Sequence, residues 1–453
     1  MEGYSVMKRV KNIIIGFGKA GKTLAFQLSK HGEDVVLIEK SPLMYGGTCI
    51  NVGCIPSKLL YNLSKNNSNA KGFKSSILQK NKTIEKLRLS NFKKISDLSN
   101  VTILTGEAHF ISDNQIKIDE ISGETKSIEG DRIFINTGAK PYLPDILGLQ
   151  QSKYLYTSET LMNEQNLPNH LFIIGGGPLA VEFATTFTQF GSSITMLVRG
   201  DRILPKMEKE AVNAIEKRLL ESGVTIYYHS QVKSVQDQSE YTILTVDLNN
   251  KIVNFKSDAV LLATGRIPNI DNLSLGNTHI NFDNQHIVTD DFLRTNIKKI
   301  WALGDVRGES QNTYISLDDS RIVLNQLYGD GTMSKKQQEI VPNVVFTNPP
   351  LATIGLSEEK ASHLDINYRK ACIATESLPK SHIEGNTSGY LKVLVDDDDM
   401  IIGATFFAVG SYEIINIISL AMHQKLSYKI LKNQIFTHPS MSESLNELFS
   451  LLD

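Results

Sequence analysis

A strand, a glycine turn, a helix and a second strand occur twice in this chain, and that repeat restricts it to folds built on parallel sheets. The first copy reads Ile13-Ile14-Ile15-Gly16-Phe17-Gly18-Lys19-Ala20-Gly21, continues with helical character from Lys22 to Lys30, turns at Gly32 and re-enters a strand at Val35-Val36-Leu37-Ile38-Glu39. The second follows Pro168: Phe172-Ile173-Ile174-Gly175-Gly176-Gly177-Pro178-Leu179-Ala180, a helix to Phe190, a turn at Gly191 and a strand from Ile194 to Val198. The strands are continuously apolar instead of alternating, as in sheets covered by helices on both faces. After about Met333 the pattern changes to short strands near Asn343, Tyr390 and Ile401 and then helices from Glu413, which reads as an α+β C-terminal domain. With 453 residues, two to four domains are expected at roughly 100–200 residues each.

Between the copies, Ser64 to Asn100 is rich in Lys, Asn and Ser and reads as solvated helices followed by a small sheet. Lys+Arg total 47 against 49 Asp+Glu, so no global charge draws the chain to nucleic acid or anionic lipid. No run of about 18 apolar residues occurs, and the opening Met1 to Arg9 leads straight into a strand, so a cytoplasmic protein with no membrane partner is expected. Asp396-Asp397-Asp398-Asp399 reads as a hairpin turn, lacking the spaced ligands, Gly and closing Glu of a calcium loop.

Gly16 to Thr23 fits two phosphate-binding patterns, the dinucleotide fingerprint through Gly16, Gly18 and Gly21 and the triphosphate loop G-x-x-x-x-G-K-[ST] through Lys22 and Thr23. Both seat phosphate on amides at a helix N-terminus. A dinucleotide also calls for an acidic residue about 20 positions on, and Glu39 stands 21 residues after Gly18. The repeat of the motif favours dinucleotides, hence α/β architecture with two Rossmann-like dinucleotide-binding domains. In the second copy Gly175, Gly177 and Ala180 occupy the fingerprint positions, Glu182 follows on the helix, and Arg199 takes the place of Glu39, with Arg202 nearby. A guanidinium there suits a 2′-phosphate, so NADPH is expected ahead of NADH. Two unlike dinucleotide sites suggest an electron relay, with FAD at the acidic one.

Three cysteines cannot form a disulfide framework. Two of them, Cys49 and Cys54, lie in Cys49-Ile50-Asn51-Val52-Gly53-Cys54, a spacing foreign to the usual zinc pairs and suited to a redox-active disulfide; no metal site is expected. Cys372 has no such neighbour and is read as structural.

The segment Gly46-Gly47-Thr48-Cys49-Ile50-Asn51-Val52-Gly53-Cys54-Ile55-Pro56-Ser57-Lys58 resembles the active-site signature of the flavin-dependent pyridine nucleotide-disulfide oxidoreductases. The resemblance continues in Ala263-Thr264-Gly265-Arg266, in Ile300-Trp301-Ala302-Leu303-Gly304-Asp305, and in His438-Pro439-Ser440-Met441-Ser442-Glu443, where Ser replaces the usual Thr. It implies that Cys54 is the thiol facing the flavin, that Cys49 meets substrate, and that Lys58 lies near the reactive edge of the flavin. His438, oriented by Glu443, is the implied acid/base, contributed across a homodimer. For FAD it implies contacts from Gly16, Gly18, Gly21, Glu39, Lys40, Thr48, Thr137, Gly138, Gly304 and Asp305, and for the nicotinamide dinucleotide from Gly175, Gly177, Ala180, Glu182, Arg199, Arg202 and Gly265. The implied division is an FAD-binding domain over 1–145 that resumes over 266–333, an NAD(P)H-binding domain over 146–265 and a dimerisation domain over 334–453.

Within that family, Phe436 stands where lipoamide dehydrogenases usually carry a second His, Phe26 and Gln27 stand where glutathione reductases place arginines, and the C-terminus lacks the vicinal cysteines of mercuric reductases. Thr313-Tyr314-Ile315-Ser316-Leu317-Asp318-Asp319 and Phe436-Thr437-His438-Pro439 are similar to segments of the bacterial reactive-chlorine-resistance subgroup. That likeness implies reduction of a small oxidant, hypothiocyanous acid first and copper(II) as an alternative, in defence against oxidative stress.

Overall fold

The computed structural model describes residues 8–283 and 286–452; Met1 to Met7, part of the opening used above to judge location, lie outside them. Strand Lys8–Ile15 runs through the first sheet parallel to Val35–Glu39 on one side and Thr125–Ile135 on the other. Val101–Phe110 extends the sheet beyond Val35–Glu39, Ile300–Ala302 beyond Thr125–Ile135, and antiparallel Gln115–Glu120 joins the two flanks. A segment near residue 300 therefore returns to a sheet begun at residue 8. The chain leaves Lys8–Ile15 to one side and comes back on the other, and parallel sheets bind ligands at the carboxyl ends of such strands. Gly16 and Asn136 stand there.

The second sheet repeats this plan with all strands parallel, in the order Thr225–Tyr227, Ser193–Leu197, His170–Ile174, Ala259–Leu262, Leu155–Tyr156. His170–Ile174 is the strand before its glycine turn. Two short strands, Ala139–Pro141 and Arg266–Pro268, pair antiparallel where the chain passes between the two sheets. Past residue 340, five antiparallel strands carry the apolar helices Ser411–His423 and Ser444–Ser450 on a common core that includes Phe406, Ile415 and Phe449.

The four aspartates form the expected turn: the side chain of Asp396 accepts from the amides of Asp398 and Met400 at 3.0 and 2.8 Å, and Asp399 pairs with Arg369 and Lys429. The reading of the Ser64–Asn100 tract as solvated helices needs correction. One 27-residue helix, Ala70–Ser96, spans it, and Phe73, Ser76, Ile77, Lys80 and Ile84 form a buried stripe at helical spacing. Phe73 packs edge-on to Phe190 at 5.0 Å, and buried Lys80 donates to the Met162 carbonyl at 2.6 Å and to the side chain of Asn163 at 2.9 Å. Ser76 and Lys80 interrupt the apolar stripe in sequence, yet both are satisfied when buried, Ser76 by donating to the Gly72 carbonyl of its own helix at 2.8 Å and Lys80 by its partners at Met162 and Asn163. No helix among the described residues is long and apolar enough to cross a membrane.

Candidate active site

The first glycine turn is shaped by Asn136. Gly16 has φ +108°, and a side chain on it would overlap the Asn136 carbonyl. The Asn136 side chain accepts from the Gly21 amide at 2.9 Å and donates to the Leu303 carbonyl at 2.8 Å, tying the start of helix Lys19–Lys30 to the returning segment. At the end of the next strand, the Glu39 carboxylate accepts from the amides of Phe17 and Ser41 at 2.9 and 3.2 Å. Burial pushes this carboxyl above its ordinary range against those hydrogen bonds.

The thiol loop rests directly on the turn. Gly47 has φ +81°, and a Cβ there would lie 2.6 Å from the Gly18 Cα. Cys49 sits on the short helix Thr48–Asn51 and Cys54 opens helix Cys54–Ser64, both as free thiols. Of this reduced pair Cys49 is the more acidic thiol. The hydrogen bond from Cys54 lowers Cys49 to about 6, the Thr313 hydroxyl, Lys22 and Lys19 adding to the effect against burial. The same hydrogen bond and burial raise Cys54. Thr313 Oγ1 lies 4.0 Å from Cys54 Sγ, at the first turn of helix Thr313–Tyr328.

A cavity of about 530 Å³ runs from Gly16, Gly18 and Glu39 past Thr48 to Cys49, Cys54 and Lys58. Lys40, Thr137, Gly138, Glu182 and Asp305 also line it. The Lys58 ammonium pairs with Glu182 at 2.6 Å, and the second Glu182 oxygen accepts from the Phe346 amide at 3.1 Å, so one carboxylate joins the two glycine-turn units and the C-terminal domain. Lys40 pairs with Glu107 at 2.7 Å. Burial raises the carboxyl of Asp305, opposed by Arg266. Gly304 donates to Asp319 at 2.7 Å, and Asp319, fully buried, forms a two-point pair with Arg307 at 3.0 and 3.1 Å. Asn136 and the Arg307–Asp319 pair were not singled out from sequence; the partners of Asn136 lie 115 and 167 residues away, and for the pair, 12 residues apart, only the Asp within the quoted Thr313–Asp319 segment offered a signal.

Other expected residues lie apart from the cavity lining. Gly21 packs inside the first turn, where a Cβ would overlap the Gly16 carbonyl. Gly175 and Gly177 form the second turn and Ala180 is buried on its helix. Arg199 is exposed beyond strand Ser193–Leu197, and the Arg202 guanidinium donates to the Pro205 carbonyl at 2.8 Å. The Gly265 carbonyl accepts from the Tyr142 amide at 3.0 Å. Within one chain His438 is not brought to the thiols; it is exposed, its Nδ1 lies 2.8 Å from Glu443, and Glu443 also accepts from the Ser440 amide at 3.0 Å. Cys372 is an exposed thiol on strand Arg369–Ala374.

Residues 10–320 match the pyridine nucleotide-disulphide oxidoreductase family, and residues 341–449 match its dimerisation domain. The chain belongs to this family. As a member it is an oxidoreductase that uses FAD and a pyridine nucleotide, and its dimerisation domain supports a homodimer. It is 40% identical to the probable pyridine nucleotide-disulfide oxidoreductase RclA of Escherichia coli (strain K12), over 98% of this chain and 100% of the relative. A mercuric reductase of Lysinibacillus sphaericus is 31% identical over 96% of this chain and 81% of its own length. Among solved structures, the HOCl-induced flavoprotein disulfide reductase RclA from Escherichia coli superimposes with TM-score 0.93 at 39% identity, covering 98% of this chain and 100% of that one. A Cu(II) complex of the same protein gives TM-score 0.94 at 39% identity, covering 99% and 100%.

The residues present fit FAD. The glycine turn offers a helix N-terminus without a side-chain cap, Glu39 stands ready to accept from hydroxyls, and Thr137 Oγ1 beside the cavity is buried without a hydrogen-bond partner.

Proposed function

We propose that this enzyme is a cytoplasmic homodimer that uses NADPH to reduce hypothiocyanous acid through Cys49 and Cys54, as part of a defence against oxidants. The reading rests chiefly on the pair of free thiols, Cys49 and Cys54, at the wall of the cavity that the first glycine turn also lines. FAD, when bound, passes two electrons from the nicotinamide to the thiol pair. The Cys49 thiolate attacks the sulfur of HOSCN, forming an S–S bond and releasing hydroxide. The Cys54 thiol then displaces thiocyanate from Cys49, closing the disulfide and giving up its proton. The hydride of NADPH, two electrons and one proton, restores the Cys49 thiolate and the Cys54 thiol, and the hydroxide and the proton released in the two thiol steps combine, so that NADPH and HOSCN become NADP⁺, thiocyanate and water.

In this reading the Gly16 turn, Glu39, Lys40, Thr48, Thr137, Gly138 and Asp305 hold FAD, and Asn136 and Asp319 fix the segments that carry them. The Gly175 turn, Glu182, Arg199, Arg202 and Gly265 serve NADPH, and Lys58 with Glu182 aligns the two sites. His438, held by Glu443, serves as acid/base at the thiols of the other subunit. The flavin domain comprises 1–145 and 266–333, with the nicotinamide domain at 146–265 and the interface domain at 334–453. A small oxidant needs no cationic groove for a peptide-like substrate, in keeping with Phe26 and Gln27 on the first helix. The HOCl-induced RclA relative supports the stress role.

A second reading, copper(II) reduction, is favoured by the solved Cu(II) complexes of RclA. Purified yellow protein should oxidise NADPH fast with hypothiocyanous acid and slowly with oxidised glutathione, lipoamide and copper(II). Faster turnover with copper(II) would install the second reading, and faster turnover with either disulfide would overturn both.

A further inference from the structure

The dinucleotide fingerprint accounts for Gly16, Gly18 and Gly21 and leaves the remaining letters of the triphosphate-like motif, Lys22 and Thr23, without a task. Thr23 turns back to its own helix, donating to the Lys19 carbonyl at 2.7 Å. Lys22 points elsewhere. Its ammonium donates to the side chain of Asn91 at 2.6 Å and reaches the Gly46 carbonyl at 3.4 Å. Gly46 is the start of the thiol loop, three residues before Cys49. Asn91 belongs to helix Ala70–Ser96, donates its amide to the Leu87 carbonyl at 2.7 Å and packs against Gly46. The Lys22 head group is thus gripped from two sides, and neither grip supplies a counter-charge.

We propose that Lys22 is a positioning residue for the thiol chemistry: Asn91 and the Gly46 carbonyl seat its ammonium against the thiol loop, where it keeps Cys49 ionised and ready to attack an electrophilic oxidant. This inference rests on the reading of Cys49 as the thiol that meets the oxidant. An opposite charge favours an ionised group within a few ångströms, more strongly where water is excluded. Lys22 is half-buried and within electrostatic reach of Cys49. Burial also lowers the Lys22 ammonium, to about 8, with Lys19 and Lys94 opposing its charge and Cys49 supporting it. The arrangement is therefore reciprocal, and it is full strength only below that value.

The other groups facing the thiols are Cys54, the Thr313 hydroxyl and Lys19 around Cys49, and Lys58 and Tyr314 around Cys54. None of them takes over the Lys22 position between the loop and Asn91. In the proposed dimer His438 adds an imidazole from the other subunit.

The test measures the rate of iodoacetamide alkylation of Cys49 against pH, in flavin-loaded Cys54→Ser dimer, so that His438 and Lys58 stay in place and no oxidant is needed. Lys22→Met should raise the midpoint by roughly one unit, Lys22→Arg should restore it, and Asn91→Leu, which keeps the charge but loosens it, should give a smaller rise. An unchanged midpoint in Lys22→Met overturns the inference, as does a rise that Lys22→Arg leaves in place, which assigns the effect to packing. Should Lys22→Met fail to hold flavin, Asn91→Leu decides alone: a rise supports the inference and no change overturns it. Because alkylation reads the thiol directly, these outcomes are independent of which oxidant the enzyme consumes.

Discussion

The two glycine turns share a backbone and differ in what surrounds it. Gly18 and Gly177 both precede a helix with extended dihedrals that any residue adopts, φ −66° and −79°. A Cβ on Gly18 would meet the Asn136 side chain at 2.7 Å, whereas a Cβ on Gly177 would meet no protein atom within 4 Å. The first turn is also overlaid by the thiol loop and closed by a carboxylate that accepts two backbone amides. The second ends at exposed Arg199. The first site is thus built into the fold, as suits a cofactor that stays through many turnovers, and the second is left open, as suits one that must leave after each.

If both sites feed one thiol pair, removing Cys49 should separate them from the oxidant while leaving them connected to each other. Cys49→Ser should cut oxidant turnover by at least roughly 10³-fold. NADPH should still bleach the flavin at a near-normal rate in a stopped-flow trace. Persistent turnover would mean that the two dinucleotide sites reach the oxidant without the thiols.

Next in size comes one substitution made twice. Gly18→Ala should destabilise the protein by about 1–3 kcal/mol through the overlap with Asn136 and lower the flavin content. Gly177→Ala should change stability by less than about 0.5 kcal/mol while raising KM for NADPH. Urea unfolding and absorbance of the purified variants read both. Equal losses at the two positions would break the contrast between a built-in and an open site.

That contrast also marks what was legible beforehand. The turns, the strand-end Glu39 and Arg199 and the Cys49–Cys54 spacing are local patterns, each confined to a few tens of residues, and they could be read directly. Asn136 lies 115 residues from Gly21, and nothing near it announces that its amide will shape a distant turn. The same holds for Lys22 with Asn91, 69 residues apart, and for Lys58 with Glu182, whose pairing depends on how two sheets are set against each other. The long helix Ala70–Ser96 was misread because its buried face includes Ser76, satisfied by its own helix, and Lys80, which only a tertiary partner makes tolerable there.

Arg199 tests the open site alone. Exchanging it for Glu removes a charge-assisted contact to a 2′-phosphate and adds repulsion, so KM for NADPH should rise by roughly tenfold or more while NADH improves. Flavin content and thiol alkylation should stay as in the parent. An unchanged preference between the two nucleotides would remove Arg199 from the site.

The smallest effect belongs to Glu39, and it distinguishes the two units through pH. Burial raises its carboxyl in the folded chain, so between the ordinary carboxylate range near about 4.3 and the raised value the folded state holds a proton that the unfolded state has lost. Folding then binds protons, and stability falls as pH rises through that window. In flavin-free protein, Glu39→Gln should remove this part of the slope of unfolding free energy against pH. Arg199→Gln, a neutralising change at the matching but exposed position, should leave it. Ribose hydroxyls donating to the carboxylate favour its charged form, so FAD should flatten the slope in the parent and have no such effect in Glu39→Gln. Parallel slopes in all five samples would mean that the first site is no more closed around its acidic residue than the second is around Arg199.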